Sequence, residues 1–290
     1  MQAYSSSTTG AEGKLRNRIV GIFDSGIGGL TVLREFLKIY PRGYDVHYVG
    51  DTARAPYGSR PPATIISYAK AILGFLLAKQ VESIICACNT SDSLLSPEEK
   101  NTLGVPYFSI LDAFGAMIEE HLPPDSSLSL IATENTVRSG SLLKAIAASE
   151  KTRKVMQQAC KLFVPIIERG FWRGKLADSV IQHHLASVKS FEPDFIVLGC
   201  THYPFLEEGI RRFLGPEVEI IDPGKLVVES FKSANGITGN SSLTKVFFHV
   251  SGDVSQFRER VFRADFMDNV AYTIEQSSFT VDSANRKVAG

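Results

Sequence analysis

The sequence predicts an α/β protein in which parallel strands alternate with helices. Apolar runs of strand length recur along the chain, separated by segments whose apolar residues have helical spacing, which is the pattern of βαβ units. Of the 290 residues, 44% are hydrophobic, as in an ordinary globular protein. This length suits one large or two modest domains, so a sizeable buried core is expected.

Five apolar runs have the length and composition of buried strands. They cover residues 18–23, 45–49, 83–87, 127–132 and 195–198. Residues 30–37 have the spacing of a short helix. Residues 61–80 predict a longer helix, because prolines suit its first turn and Ile65, Ile72 and Leu76 fall on one face. Strands and helices therefore alternate, as an α/β fold requires.

The charge composition argues against nucleic acids and membranes as partners. Lys+Arg and Asp+Glu both number 31, and the chain has no basic stripe or dense block of like charge. No apolar window approaches the roughly 20 residues that cross a membrane. Residues 1–17 are polar and lack the apolar stretch of a secretory signal, so they are predicted to be a disordered tail. The expected partner is a small molecule.

The four cysteines indicate a reducing compartment and not a disulfide framework. They stand at positions 86, 88, 160 and 200, and are too few and too scattered to cross-link a chain of this size. A zinc site is disfavoured because a single residue separates Cys86 from Cys88, whereas zinc pairs are normally separated by two to four. We therefore expect a cytoplasmic protein without a bound metal.

Two segments of the chain resemble each other. Residues 83–90 and 195–202 both consist of an apolar strand, a small residue, a cysteine and two polar residues. Such a pair could arise by chance, since strands often end in a polar loop. If the segments instead mark duplicated halves that face each other, Cys88 and Cys200 lie at the carboxyl ends of strands, where open α/β sheets bind ligands. Two thiols would then border one cleft.

Cys88 and Cys200 are better suited to chemistry than the other two cysteines. A thiol can carry a proton when it is held as thiolate near neutral pH, and the N-terminus of a following helix lowers its pKa. His202, two residues after Cys200, can serve as its proton partner. Cys86 and Cys160 lie in or beside apolar runs and are predicted to pack as small hydrophobic side chains.

A glycine-rich turn follows the first strand, over residues 23–29. It is not a dinucleotide-binding fingerprint, because Thr31 stands where that motif needs its last glycine. Its glycines allow backbone amides to approach an anion such as a carboxylate. Asp24 and Ser25 are either helix-capping residues or, for Asp24, a base that orients or deprotonates a nearby thiol. A second loop, over residues 50–58, contains three turn-forming residues and is typical of a structural turn.

From about Ile19 to Asp222 the sequence resembles the glutamate racemases of the aspartate/glutamate racemase superfamily. The resemblance depends on four motifs in the expected order, which together are highly specific. They are Gly21-Ile22-Phe23-Asp24-Ser25-Gly26-Ile27-Gly28-Gly29, Gly50-Asp51-Thr52-Ala53-Arg54-Ala55-Pro56-Tyr57-Gly58, Cys88-Asn89-Thr90 and Leu198-Gly199-Cys200-Thr201-His202-Tyr203-Pro204.

The resemblance implies a role for individual residues. The two catalytic cysteines of the family match Cys88 and Cys200. An Asp assists the first thiol in the family and matches Asp24, whereas a Glu and a His that assist the second match Glu168 and His202. The substrate contacts implied by the match are Asp24, Ser25, Pro56, Tyr57, Gly58, Asn89, Thr90, Thr136, Thr201 and His202.

The resemblance also implies an architecture: two flavodoxin-like parallel-sheet domains related by pseudo-twofold symmetry, with the active site in the cleft between them. The first domain would comprise residues 18–112 and 223–275, and the second residues 113–222, followed by a flexible tail over residues 276–290. Members of the family need neither pyridoxal phosphate nor a metal. The implied protein is a homodimer that supplies D-glutamate, made from L-glutamate, for bacterial peptidoglycan.

One departure from the family keeps two alternatives open. Ser91-Asp92-Ser93 stands where the family usually has small apolar residues, and this is expected to place an extra carboxylate near the site. A racemase or epimerase of a related dicarboxylic amino acid, such as diaminopimelate or aspartate, is the first alternative. A non-catalytic amino-acid-binding protein is the second, although such a protein needs neither thiol. Chirality assays and exchange of the Cα proton separate the three.

Overall fold

The computed structural model describes residues 16–147, 149, 151–237, 239–264, 267 and 270–280. Within this part of the chain, ten strands form two sheets whose paired strands all run parallel. The strands are β1 (Arg18–Asp24), β2 (Tyr44–Gly50), β3 (Ser83–Cys86), β4 (Tyr107–Ser109), β5 (Ser126–Ala132), β6 (Thr152–Ala159), β7 (Phe195–Gly199), β8 (Glu219–Ile221), β9 (Lys245–Val250) and β10 (Ala271–Gln276).

Helices separate the strands along the chain. They are α1 (Leu30–Ile39), α2 (Pro62–Ala78), α3 (Asn89–Asp92), α4 (Pro97–Asn101), α5 (Ile110–His121), α6 (Glu134–Ser139), α7 (Ser141–Ile146), α8 (Phe163–Glu168), α9 (Lys175–Phe191), α10 (Glu207–Leu214), α11 (Pro223–Asn235) and α12 (Val254–Arg263), with a 3₁₀ turn over Tyr203–Leu206. Among the described residues, none of these helices has both the length and the apolar character needed to span a membrane.

The second sheet repeats the strand order of the first. The first sheet runs β10-β9-β2-β1-β3-β4 and the second β6-β5-β7-β8, so each contains a block in which the order is second, first, third, fourth. That order is the one found in flavodoxin-like folds. The predicted α/β class with two parallel sheets is confirmed. Strands β3 and β7, which precede the two cysteines of interest, occupy equivalent places in their sheets.

The central strands of both sheets are buried. Val20, Ile22 and Ile85 of β1 and β3, like Leu130 and Val197 of β5 and β7, are fully buried. Parallel strands covered by helices on both faces are apolar almost throughout, and each buried side chain of this size contributes about 2 kcal/mol by leaving water. The five predicted strands and two predicted helices all occur, with ends shifted by no more than two residues.

The predicted domain boundaries and tails have different outcomes. The first sheet takes its strands from before residue 110 and after residue 244, and the second from between them, so the division at residues 112 and 223 stays a prediction. Residues 1–15 and 281–290 lie outside the described residues. The predicted tail over residues 276–290 begins too early, because Phe279 is buried and its ring packs against Phe75.

Candidate active site

Cys88 and Cys200 border the same cavity, where the carboxyl ends of β3 and β7 meet. Residues that follow strands of both sheets contribute to the cavity wall. This wall is formed by Asp24, Ser25, Pro56, Tyr57, Gly58, Cys88, Asn89, Thr90, Thr133, Val164, Cys200, Thr201 and His202. The two similar segments of the sequence therefore supply facing parts of one site.

Most of the residues that the sequence assigned to the site lie in this wall, with two exceptions. Glu168 stands behind His202 and touches it. Thr136 is completely buried, and its hydroxyl lies 3.0 Å from that of Thr133 and 3.4 Å from that of Thr90. Thr136 is therefore not part of the cavity wall in this structure, and its contact with the substrate stays a prediction. Thr133 was missed, although its position directly after β5 matches that of the other site residues.

Cys88 caps the N-terminus of α3. Its Sγ accepts a hydrogen bond from the backbone amide of Ser91 at 3.4 Å. Burial is the main cause that raises the pKa of the Cys88 thiol to about 12, and the charge of Asp24 adds to it, whereas hydrogen bonds from Ser91 lower it. The helix N-terminus acts in the direction expected from the sequence, but desolvation outweighs it.

Cys200 has an imidazole and a carboxylate behind it. His202 Nδ1 lies 3.8 Å from Cys200 Sγ, and His202 Nε2 lies 2.7 Å from Glu168 Oε1. Burial lowers the pKa of His202, but the hydrogen bonds to Cys200 and Glu168 raise it more, so the net pKa is well above its ordinary value. A protonated His202 donates one N–H to Glu168 and directs the other toward Cys200 Sγ.

Glu168 is held as a carboxylate by three partners. Burial raises its pKa, but His202, the backbone amide of Ile27 and Arg260 outweigh burial, and the net pKa is lowered. The Ile27 amide donates to Oε1 at 3.2 Å, and Arg260 Nη1 donates to Oε2 at 3.1 Å. Arg260 was missed by sequence reasoning, since it lies on a surface helix and belongs to no motif.

Asp24 joins the two halves of the site. Its Oδ2 accepts from the amide of Gly26 at 2.8 Å, and its Oδ1 accepts from the hydroxyl of Thr201 at 3.1 Å. It does not cap α1, which begins at Leu30 without a side-chain cap. The sequence allowed Asp24 to be a helix-capping residue or a base that acts on a nearby thiol, and the geometry favours the second role.

The glycine-rich turn packs directly against the His202 side of the site. A Cβ atom on Gly28 would lie 2.3 Å from His202 Nδ1, and one on Gly26 would lie 2.3 Å from Glu168 Oε1. Real Cβ atoms do not approach other atoms so closely, so a Cβ at either position would displace the His202 ring or the Glu168 carboxylate. The glycine-rich turn after β1 therefore packs against His202 and Glu168, which lie behind Cys200.

Asn89 is the clearest binding group in the wall. Its side-chain nitrogen and oxygen are buried, and neither has a hydrogen-bond partner among the described residues. Buried polar atoms in folded proteins are normally paired, so an exception needs an explanation. An amide can donate to a carboxylate and accept from an ammonium group, which are the two groups that an α-amino acid carries on Cα.

Asp92 does not face the cavity. Its Oδ1 accepts from the Tyr107 hydroxyl at 3.0 Å and pairs with Lys100 Nζ at 2.7 Å. Its Oδ2 accepts from the Ser109 hydroxyl at 2.6 Å and from the Leu111 amide at 3.0 Å. The expectation of an extra carboxylate near the site is therefore wrong, because this carboxylate is consumed in joining α3 to α4, β4 and α5.

Comparisons with known proteins find similar sequences and similar structures. Residues 31–231 match the Asp/Glu/hydantoin racemase family. A glutamate racemase of Desulforudis audaxviator is 37% identical over 249 residues, which are 82% of this chain and 90% of that protein. A crystal structure of glutamate racemase from Francisella tularensis in complex with D-glutamate is 30% identical, with a TM-score of 0.79 over 91% of this chain and 99% of that one. Another, from Thermus thermophilus in complex with β-chloro-D-alanine, is 33% identical, with a TM-score of 0.76 over 90% and 97%.

Proposed function

Because the chain belongs to the Asp/Glu/hydantoin racemase family, we propose that it is a glutamate racemase that interconverts L- and D-glutamate with two thiols and no cofactor. The observation that carries the proposal is the placement of Cys88 and Cys200 at equivalent strand ends on one cavity. The proteins of similar sequence and structure that act on or bind glutamate support the choice of substrate.

The proposed reaction moves one proton out and another in. The thiolate of one cysteine takes the Cα proton, so that an S–H bond forms, the Cα–H bond breaks and the electron pair stays on the amino acid. The opposite thiol then gives its proton to the other face of Cα and becomes the thiolate. The two enantiomers have equal free energy, so kcat/KM must be the same for both.

The residues around the thiols have separate tasks in this proposal. Asn89 and the hydroxyls of Ser25, Thr90 and Thr201 bind the amino and carboxylate groups and stabilise the charge that develops at Cα. His202, held by Glu168, lies beside Cys200 and can exchange a proton with its sulfur. Asp24 sits beside Cys88 and raises its pKa, which favours the protonated, proton-donating form of that thiol.

Neither alternative function, a racemase of another dicarboxylic amino acid or a non-catalytic binding protein, is favoured by the structure. A racemase of another dicarboxylic amino acid was favoured by Asp92, which points away from the cavity. A non-catalytic binding protein needs no imidazole and carboxylate aligned behind one thiol, as His202 and Glu168 are behind Cys200.

The test is incubation of the purified protein in deuterium oxide with L-glutamate, L-aspartate and meso-diaminopimelate in turn. We expect D-glutamate that carries deuterium at Cα, and no comparable turnover of the other two, by chiral chromatography and mass spectrometry. Faster inversion of aspartate or diaminopimelate would replace the proposed substrate. Bound glutamate without exchange of its Cα proton would make the protein a binder and refute the proposed activity.

The family resemblance adds three expectations that belong to this proposal. They are a homodimer in solution, a cytoplasmic location and the supply of D-glutamate for peptidoglycan. The homodimer is tested directly by light scattering on the purified protein.

A further inference from the structure

Arg260 reaches the proposed site from a distant part of the chain. It lies on α12, in the segment that returns to the first sheet, and its Nη1 donates to Glu168 Oε2 at 3.1 Å. The other oxygen, Oε1, accepts from the Ile27 amide and lies 2.7 Å from His202 Nε2. Each carboxylate oxygen of Glu168 therefore has its own donors, and a rotation of the carboxylate would break contacts on both.

The donors to Glu168 come from both halves of the molecule. Ile27 and Arg260 belong to the part that carries the first sheet, whereas Glu168 and His202 belong to the part that carries the second. The side chain of Glu168 is 15% exposed and that of Arg260 is 23% exposed. An ion pair that is partly withdrawn from water is stronger and less screened by salt than one on the surface.

We propose that Arg260 is a positioning residue of the proposed racemase, which holds Glu168 in the orientation that keeps His202 aligned with Cys200. This inference rests on the proposed function. Glu168 faces His202, the Ile27 amide and Arg260. It also faces the buried hydroxyl of Tyr48, whose pKa is raised by burial and, to a smaller extent, by nearby charges that include Glu168. Of these, Arg260 is the one cation that stays charged at every working pH.

The test compares Arg260→Met with Arg258→Met, an exposed arginine on the same helix for which no contact with Glu168 is found. We expect Arg260→Met to lower kcat by about tenfold or more, the effect of one hydrogen bond to a charged group, with a smaller change in KM. Loss of the cation raises the pKa of Glu168, so the acid limb of the pH–rate profile should move to higher pH. Arg260→Lys retains the charge, so it should restore part of kcat and return the acid limb most of the way to its wild-type pH.

Two outcomes would overturn the role of Arg260. The first is that Arg260→Met has the same kcat, and the same position of the acid limb of the pH–rate profile, as Arg258→Met. The other uses no substrate: in a crystal structure of Arg260→Met, the Glu168 carboxylate should have left its 2.7 Å contact with His202, and an unchanged contact refutes the proposal. If the wild-type protein racemises no amino acid, the proposed function fails, and the structural readout still decides the role of Arg260.

A second inference concerns Ser91 and the other thiol, and depends on a different observation. The Ser91 amide donates to Cys88 Sγ at 3.4 Å. The Ser91 hydroxyl is buried, has no hydrogen-bond partner among the described residues, and lies close enough to Cys88 to lower its pKa. Ser91 therefore carries a buried, unpaired donor on the residue whose amide already contacts this sulfur.

We infer that Ser91 is a positioning residue whose hydroxyl donates to Cys88 when that sulfur carries the negative charge. A buried hydroxyl without a partner is costly, and a thiolate next to it is the acceptor that would satisfy it. The residue belongs to the Ser91-Asp92-Ser93 departure from the family pattern, so the departure acts on the first thiol and not on the choice of substrate. Like the role of Arg260, this role rests on the proposed function.

The variant Ser91→Ala tests the inference, with Ser129→Ala as the matched control. Ser129 also has a buried hydroxyl without a partner among the described residues, but it lies within β5, away from the cavity wall. In Ser91→Ala, alkylation of Cys88 by iodoacetamide at a fixed pH should slow about tenfold, as should kcat/KM for both enantiomers. Rates of alkylation equal to those of Ser129→Ala would overturn the inference. Since alkylation needs no turnover, this result is independent of whether glutamate is the substrate.

Discussion

Cys88→Ser and Cys200→Ser are each expected to lower the racemisation of glutamate by about 10³-fold or more. Serine is nearly the same size as cysteine, but its hydroxyl is far too weak an acid to carry the proton at neutral pH. A positioned acid or base typically contributes 10²- to 10⁴-fold to a rate, and inversion needs one on each face of Cα. The loss should therefore be as severe for one cysteine as for the other, although their surroundings differ.

Exchange of the Cα proton in deuterium oxide gives the two variants opposite signatures. With Cys200 alone, the enantiomer whose Cα–H faces that thiol can lose its proton and regain deuterium on the same face, without inversion. With Cys88 alone, the other enantiomer should exchange. Mass spectrometry and chiral chromatography separate exchange from inversion. Near wild-type inversion in either variant, or exchange of the same enantiomer in both, is incompatible with the two-thiol mechanism.

Cys160→Ala is the control for these variants. Cys160 is buried and its Sγ contacts the backbone oxygen of Gln158, outside the wall of the cavity that holds the other two thiols. Burial raises the pKa of its thiol, so it stays protonated at neutral pH. We expect this variant to keep most of its turnover, and a loss as large as that of Cys200→Ser would implicate a third thiol.

The sequence predicted those parts of the fold and site that are encoded locally. The strand ends that carry Cys88 and Cys200, and the turn that carries Asp24, each combine an apolar run with a polar or glycine-rich loop in a few consecutive residues. Such signals reflect backbone geometry and burial, which neighbouring residues largely decide. The same holds for α2, whose prolines and apolar spacing fix both its start and its buried face.

The contacts that sequence reasoning missed depend on how distant segments pack. Arg260 meets Glu168 because α12 folds back over the site, which no local pattern indicates. Thr133 caps the N-terminus of α6 and lines the cavity, whereas Thr136, three residues later, is completely buried. Asp92 was assigned to the site because it follows Cys88 closely, yet a turn of helix directs its carboxylate the opposite way.

Asp92→Asn is expected to lower the free energy of unfolding by about 3 kcal/mol and to leave substrate selectivity unchanged. The carboxylate is fully buried and paired with Lys100, whose side chain is 14% exposed. Removing one partner of a buried ion pair leaves the other charge uncompensated, which typically costs about 3–5 kcal/mol. The Asn side chain also turns an NH₂ group toward donors such as Ser109 and Leu111. Urea denaturation measures the change as a shift in midpoint.

The double variant Asp92→Asn with Lys100→Met tests the cause of this loss. Removal of the uncompensated ammonium should make the double variant less destabilised than the sum of the two single variants, with a coupling of about 1–3 kcal/mol. The ratio of kcat/KM for glutamate to that for aspartate should stay at its wild-type value in all three proteins, because none of the altered groups touches the cavity. A variant that keeps its stability but accepts aspartate would instead make Asp92 a specificity residue. It would then act through α3, the short helix that Cys88 caps and that ends at Asp92.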